Sequence, residues 1–140
     1  MFQKLKNRKG FTLMEMLIVV AIIAVLVAIA IPTFNASLAK ARAATDVANI
    51  RSGYAAAQVE AMIGDTATGT KLYLQNDGTV APTGTKDYAC QGAAAKASEE
   101  ATIGGIKKAK DIGWAKGDKI VYTVTVDGTS GDISVEITKE

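Results

Sequence analysis

Few side chains in this sequence could take part in chemistry, and the most unusual of them is a single carboxylate. The 140-residue chain has no histidine and one cysteine, which excludes zinc sites, histidine acid–base catalysis, Cys–His pairs and internal disulfides. Glu15 is the only charged residue between Gly10 and Lys40, and it lies in an otherwise apolar run. A carboxylate in such a run is costly unless it is paired, so Glu15 indicates a function.

Two aspartates near the C-terminus form a weaker candidate site. Asp127 and Asp132 flank a turn of glycine, serine and threonine residues, and their carboxylates could bind calcium. Aspartates in turns more often accept hydrogen bonds from the turn's own backbone, which is the simpler interpretation. We therefore predict no metal and no cofactor, with these two residues as weak calcium candidates.

The cysteine and the tryptophan are interpreted first as packing residues. Cys90 has no partner cysteine in the chain, so it is either a small half-buried apolar residue or a site of intermolecular pairing. Trp114 lies beside Gly113 and Gly117 and is interpreted as a core or interface anchor rather than a residue that stacks on a ligand.

Charge is distributed unevenly along the chain. The formal net charge is +2, but the first ten residues contain no acidic residue and four basic ones, so residues 11–140 have a net charge of −2. Those basic residues are Lys4, Lys6, Arg8 and Lys9. A nucleic-acid-binding protein would normally show a basic stripe on its folded part, so the sequence gives no strong nucleic-acid signal.

A long apolar segment follows the basic residues. From Phe11 to Ile31 the only polar residues are Thr12 and Glu15. At 1.5 Å per residue such a helix is about 31 Å long, close to the thickness of the hydrocarbon core of a bilayer. The segment can therefore span a membrane, and the preceding basic residues keep its N-terminus on the cytoplasmic side.

The helix is expected to continue beyond Pro32 and to end near Gly64-Asp65, giving one helix of about 50 residues. Two neighbouring apolar stripes support this: Phe34, Leu38, Ala41, Thr45 and Ala48, then Ile50, Tyr54, Ala57 and Ala61. Pro32 cannot donate a hydrogen bond to the carbonyl of Ala28, so we expect a kink or loosening there. The alternative is that Pro32 simply stops the helix at the membrane boundary.

The remaining sequence predicts an α+β fold, in which the long N-terminal helix packs on a small antiparallel sheet. Alternating residues predict two strands joined as a hairpin, and their apolar face needs the stripe of Ile50, Tyr54 and Ala57 as a partner. The predicted elements are strand Lys71–Gln75 with a turn at Asn76-Asp77-Gly78, short helices Ala93–Ala101 and Ile103–Ile112, and strands Lys119–Val126 and Asp132–Thr138.

The N-terminus has three possible interpretations. It could be an ordinary secretory signal peptide, with Ala28-Ile29-Ala30 or Ala39-Lys40-Ala41 as the cleavage site and a secreted binding domain as the product. It could also be a plain single-pass anchor. Neither of these needs Glu15, so both leave the most costly residue of the segment unexplained.

The third interpretation rests on a specific order of residues: a basic segment ending in Gly10, then Phe11, Glu15, an apolar run and Pro32. The stretch KGFTLMEMLIVV, with its continuation to residue 35, resembles the class III signal of type IV prepilins and related pseudopilins. The resemblance covers residues 6–35, about a fifth of the chain. It divides the chain into a leader (1–10), a transmembrane and polymerisation helix (11–32), and an amphipathic half-helix with a pilin head (33–140).

The resemblance implies roles for individual residues. A prepilin peptidase would cut between Gly10 and Phe11 and methylate the new α-amino group of Phe11. Gly10 suits this because glycine lets a protease approach the scissile backbone closely. Glu15 would pair with the Phe11 amine of a neighbouring subunit and set the axial register, and Pro32 would let the helix bend.

The same resemblance implies a structural function without catalysis: a type IV pilus subunit for adhesion or motility. The alternative is a major pseudopilin of a type II secretion or competence system. The implied partners are other copies of the chain, a prepilin peptidase and methyltransferase, an assembly platform with its ATPase, and membrane lipid before assembly. The precursor would lie in the cytoplasmic membrane, and the assembled product would be an extracellular filament.

Overall fold

The computed structural model describes residues 10–64, 66–82 and 87–140 of the chain. These residues form two compact units, one ending at Ala36 and the other comprising Ser37–Glu140, which we call the head. The basic residues of the predicted leader lie outside the described residues, as does Asp65 of the predicted helix stop.

One helix, α1, runs from Leu13 to Ile63 and has 51 residues, which confirms the prediction of a single long helix. The alternative in which Pro32 stops the helix is wrong, because α1 continues through it. Proline removes one backbone hydrogen bond, and the alanine-rich sequence that follows supports helix strongly enough to continue. The kink stays a prediction.

The part of α1 before the head is apolar and exposed. No residue from Leu13 to Ala36 is buried, and the large apolar side chains among them have between 44% and 78% of their surface exposed. By length and composition this part of α1 is sufficient to cross a membrane. This part of α1 is therefore suited to an apolar environment.

Within the head, α1 buries one stripe of side chains. Ile50, Tyr54, Ala57 and Ala61 are buried, which confirms the second predicted stripe. The first predicted stripe is not part of the core: Ala41, Thr45 and Ala48 face solvent, and Leu38 is half-buried. The buried face is continued instead by Ala43, Asp46 and Val47.

The described residues of the head form six strands: β1 (Thr70–Leu74), β2 (Val80–Ala81), β3 (Thr102–Ile103), β4 (Lys107–Lys108), β5 (Ile120–Val126) and β6 (Ile133–Lys139). Four of them form an antiparallel sheet in the order β2-β1-β5-β6. The predicted hairpin is β5–β6, with Tyr122 opposite Ile137. Tyr122 donates a hydrogen bond from its hydroxyl to the carbonyl of Ile50 on α1 (2.7 Å), which confirms that the sheet packs on this helix.

The two short helices predicted between residues 93 and 112 are largely wrong. The first is reduced to a 3₁₀ turn at Ala94–Lys96, and of the second only α2 (Ala109–Ile112) is helical. In place of the rest, β3 and β4 pair across a turn containing Gly104 and Gly105, both at positive φ. Two consecutive glycines in left-handed conformations favour a tight strand connection over a helix.

Candidate functional site

The first turn of α1 contains a capping box formed by Thr12 and Glu15. The Thr12 backbone N–H donates a hydrogen bond to Glu15 Oε2 (2.7 Å), and the Glu15 N–H donates to Thr12 Oγ1 (3.2 Å). Because the helix begins at Leu13, Thr12 is the N-cap residue and Glu15 the third helical residue, the positions that this motif requires. This local role was not among the predictions from the sequence, although the spacing Thr-x-x-Glu is typical of a capping box.

The residues around the predicted cleavage bond are open. Phe11 has 81% of its surface exposed, and among the described residues no atom lies within 4 Å of where a Cβ on Gly10 would stand. Packing therefore gives no reason for glycine at position 10. The capping box holds the Glu15 carboxylate next to the residue that follows Phe11, while its Oε1 forms no hydrogen bond with a described residue. That oxygen is available to a cation.

Pro32 lies on the same helix but far from this cluster. Seventeen residues separate it from Glu15, about 26 Å along a helix, so the two do not form one site. The neighbouring Thr33 hydroxyl donates a hydrogen bond to the carbonyl of Ile29 (3.2 Å). Ile29 follows Ala28, whose carbonyl is the one that loses its backbone donor to the proline.

A buried carboxylate that the sequence analysis did not single out organises the head. Asp46 is fully buried on α1, and its two oxygens accept four hydrogen bonds. The donors are the Tyr88 hydroxyl (2.7 Å), the Gln91 N–H (2.8 Å), the Gly92 N–H (2.7 Å) and the Trp114 indole N–H (3.2 Å). One side chain thus ties residues 88–92 and the tryptophan to the helix.

Trp114 and Cys90, the two residues predicted to serve in packing, are both buried near Asp46. Trp114 is 2% exposed, which confirms it as a core anchor, and Cys90 is 2% exposed as a free thiol. Burial raises the pKa of Cys90 to about 12. Burial, together with the hydrogen bond to Asp46, likewise raises the pKa of Tyr88 to about 12. Both groups are therefore neutral at physiological pH.

The two aspartates of the weak calcium candidate serve the β5–β6 turn. Asp127 Oδ1 accepts hydrogen bonds from the N–H groups of Thr129 (2.7 Å) and Ser130 (3.1 Å), and these bonds lower the pKa of Asp127. The Asp127 N–H in turn donates to the carbonyl of Asp132 (2.9 Å). Within the part of the chain that the structure describes, no group of three or more metal-ligating residues occurs. Calcium binding stays a prediction that this turn geometry does not support.

Comparison with known proteins gives one family match at the N-terminus and several similar fimbrial proteins. Residues 5–31 match the family described as the prokaryotic N-terminal methylation motif. The type IV major fimbrial protein FimA and a fimbrial protein, both of Dichelobacter nodosus, are each 55% identical to this chain over 40 residues. That alignment covers 29% of this chain and 25% of each relative, so the chain spans about a quarter of the length of the relatives it matches. No solved structure matches the chain significantly.

Together these findings define the class of the molecule: an α+β protein whose long N-terminal helix is apolar and exposed in its first half and packed on a small sheet in its second. Its N-terminal segment carries the prokaryotic N-terminal methylation motif, and the chain is similar over 40 residues to type IV fimbrial proteins, which supports the resemblance to type IV pilins with a class III signal. The family resemblance stated from the sequence is confirmed, and so is the pilin-like fold class.

Proposed function

We propose that this chain is the structural subunit of a type IV pilus, assembled through residues 11–32. The observation that carries the proposal is the exposure of the entire apolar first half of α1. A contiguous apolar surface of this size is not stable in water and indicates a membrane or protein partner. Lipid supplies that partner before assembly, and the same helix of other copies supplies it in a filament.

Exchange of lipid for neighbouring helices is nearly neutral in free energy, so another interaction must select the register. Glu15 provides it, because its free Oε1 can accept the Phe11 amine of a neighbour while Oε2 keeps its bond to Thr12. Removal of the leader after Gly10 creates that amine, and a methyltransferase adds a methyl group to it. Pro32 gives the helix the freedom to bend during assembly.

The proposed route begins in the cytoplasmic membrane with the N-terminus on the cytoplasmic side. A prepilin peptidase and methyltransferase, an assembly platform and an ATPase then process and polymerise the chain, and the filament lies outside the cell. The subunit itself is structural rather than catalytic. The matched relatives are fimbrial proteins, which favours a pilus over a secretion or competence pseudopilus.

The test is the intact mass and N-terminal sequence of the mature protein from its source cells, with electron microscopy of surface fibres. We expect a mature chain that begins at Phe11 with one added methyl group, and fibres that disappear when the protein is deleted. A mature start after Ala30 or Ala41, or fibres unaffected by the deletion, would contradict the proposal.

A further inference from the structure

The head has an apolar groove of about 300 Å³ beside the edge strand β6. It is lined by Tyr54, Ile106, Lys107, Ser134, Val135, Glu136 and Ile137. Ile106 has 73% of its surface exposed even though it follows the buried Ile103 closely in the chain. An apolar residue at the rim of an apolar groove is typical of a surface that binds another apolar surface.

The groove is held in shape by two contacts. Gly104 lies so close to the ring of Tyr54 that a Cβ there would overlap it, and this fixes the turn that presents Ile106. Lys107 Nζ donates a hydrogen bond across to the carbonyl of Ile137 on β6 (3.1 Å). The groove is therefore built by the fold and does not depend on an adaptable loop.

A second apolar surface lies at the C-terminal end of α1. Val59, Met62 and Ile63 have 53%, 70% and 83% of their surfaces exposed, and we call them the helix-end patch. Among the described residues of the head, these three and Ile106 are the large apolar residues that are mostly exposed. The exposed apolar surface of the head is thus divided between one groove and one projecting helix end.

The charges beside the two surfaces are complementary on one side of the groove and repulsive on the other. Glu60, next to the helix-end patch, forms no ion pair with a described residue, and Lys107 at the groove contacts a carbonyl rather than a carboxylate. Glu136 also lines the groove. Glu60 of a docked partner would be attracted by Lys107 and repelled by Glu136, so it should lie on the Lys107 side. This charge pattern selects one orientation of docking.

We propose that the helix-end patch of one copy docks into the groove of the next copy. The inference rests on the proposed function, since it requires a homopolymer. Because the two surfaces are different parts of the same head, the contact is heterologous, and a heterologous contact that does not close continues as an open helical filament. The head therefore contributes a directional contact of its own in addition to the apolar half of α1.

The test uses cysteine cross-linking in assembled filaments of the full chain. Filaments are formed from Met62→Cys, from Ile106→Cys and from the double variant, and are treated with a short bis-maleimide linker. Both residues are mostly exposed, so the substitutions leave the core intact, and buried Cys90 is protected from the reagent. The matched control pairs Met62→Cys with Thr125→Cys, an exposed position on β5 that does not line the groove.

We expect a ladder of cross-linked oligomers from the double variant, at least tenfold more abundant than from either single variant or from the control pair. Cross-linked dimers from Ile106→Cys alone, or well-formed filaments without a ladder, would overturn the inference and leave the proposed function standing. Failure of the unmodified chain to form filaments would instead count against the proposed function. A variant that does not polymerise alone is co-assembled with unmodified chain and compared in the same way.

Discussion

Glu15 combines two properties that a single substitution can separate. Its oxygen completes the capping box with Thr12. Its charge is the one that we propose to pair with a neighbour's amine. Glutamine also serves as the third helical residue of a capping box, because its side-chain carbonyl accepts the same hydrogen bond. Glutamine carries no charge, so it retains the first property and removes the second.

We predict that Glu15→Gln abolishes filament assembly while cleavage after Gly10 and membrane insertion are retained. The scissile bond is unchanged, and a segment with fewer charges partitions better into lipid. Assembly fails because the neighbour's Phe11 amine is buried without a counter-charge, at a cost of about 3–5 kcal/mol. Processing and filament yield are measured in the same cells by mass spectrometry and electron microscopy.

Thr12→Ala is the matched control for this experiment. It removes the hydroxyl that accepts from the Glu15 N–H but keeps the carboxylate and its charge. Loss of an N-cap costs about 1 kcal/mol of helix stability, so we expect filaments to persist. Normal filaments from Glu15→Gln, or from Glu15→Leu, would show that the charge does not determine assembly.

The second residue-level prediction concerns Asp46. We predict that Asp46→Asn lowers the free energy of unfolding of the head by about 2–4 kcal/mol. All four partners of Asp46 are donors, two on each carboxylate oxygen. In asparagine one of these oxygens becomes an NH₂ group, which is itself a donor and cannot accept the two hydrogen bonds at that position. Hydrogen exchange should show reduced protection of the Gln91 and Gly92 amides, which bond directly to the carboxylate.

Asp132→Asn is the control, because Asp132 is exposed at the β5–β6 turn and contributes backbone groups to it. Its effect on stability should be below about 0.5 kcal/mol, as is usual for surface substitutions. Equal stability and equal amide protection in both variants would show that Asp46 does not hold residues 88–92 to α1.

At the scale of elements, the contact between α1 and the sheet depends on a glycine. A Cβ at Gly53 would overlap both the Tyr122 hydroxyl, which bonds to Ile50, and the side chain of Leu74. Alanine favours helix over glycine by about 1 kcal/mol, so propensity alone predicts that Gly53→Ala is stabilising. Overpacking costs about 1–3 kcal/mol and opposes that gain.

We predict that overpacking prevails and that Gly53→Ala destabilises the head, because the overlapped atoms belong to a ring and a buried side chain rather than to a flexible surface group. Thermal unfolding measures the effect. Ser52→Ala on the exposed side of the same turn is the control. It gains helix propensity and loses only a long hydrogen bond from the Ser52 hydroxyl to the Gly78 carbonyl (3.4 Å), so its effect should be below about 0.5 kcal/mol. A raised melting temperature for Gly53→Ala would mean that the helix and sheet are packed less closely there.

Elements with a clear period were predictable from the sequence, and elements set by distant contacts were not. The alternation in β5 and β6 and the helical spacing of the Ile50, Tyr54, Ala57 and Ala61 stripe predicted the main architecture, and the N-terminal residue order predicted the candidate site. Asp46 was missed because its donors lie 42 to 68 residues away, so no local pattern marks it. The β3–β4 pair was missed because Gly104 and Gly105 were interpreted as an interruption of a helix rather than as the turn between two strands.

On the scale of the whole molecule, the two compact units differ in what they need for stability. The head buries its own core, and all buried side-chain polar atoms in the described residues have a hydrogen-bond partner. The unit ending at Ala36 contains no buried side chain among its described residues. Only the head therefore carries the interactions that stabilise a fold in water.

We predict that a fragment beginning at Ser37 is a soluble, folded monomer, whereas the full chain requires detergent or lipid. The fragment keeps the α1 stripe, the four-stranded sheet and the Asp46 network, so each apolar face retains its partner. Circular dichroism and cooperative thermal unfolding measure folding, and light scattering measures mass. The helix-end patch and the groove stay exposed on this fragment. Three patch residues and seven groove residues fall well below the roughly 20–30 residues on each side of a stable interface, so we expect a monomer at micromolar concentration.

A fragment that begins ten residues later, at Val47, is the matched comparison. It lacks Asp46 and Ala43, the residue against which Gly92 packs, so residues 88–92 lose their attachment to the helix. We expect this shorter fragment to unfold at a lower temperature and with less cooperativity. An unfolded Ser37 fragment would show that the sheet depends on the preceding apolar part of α1, and the division into a self-sufficient head and an assembly segment would then be wrong.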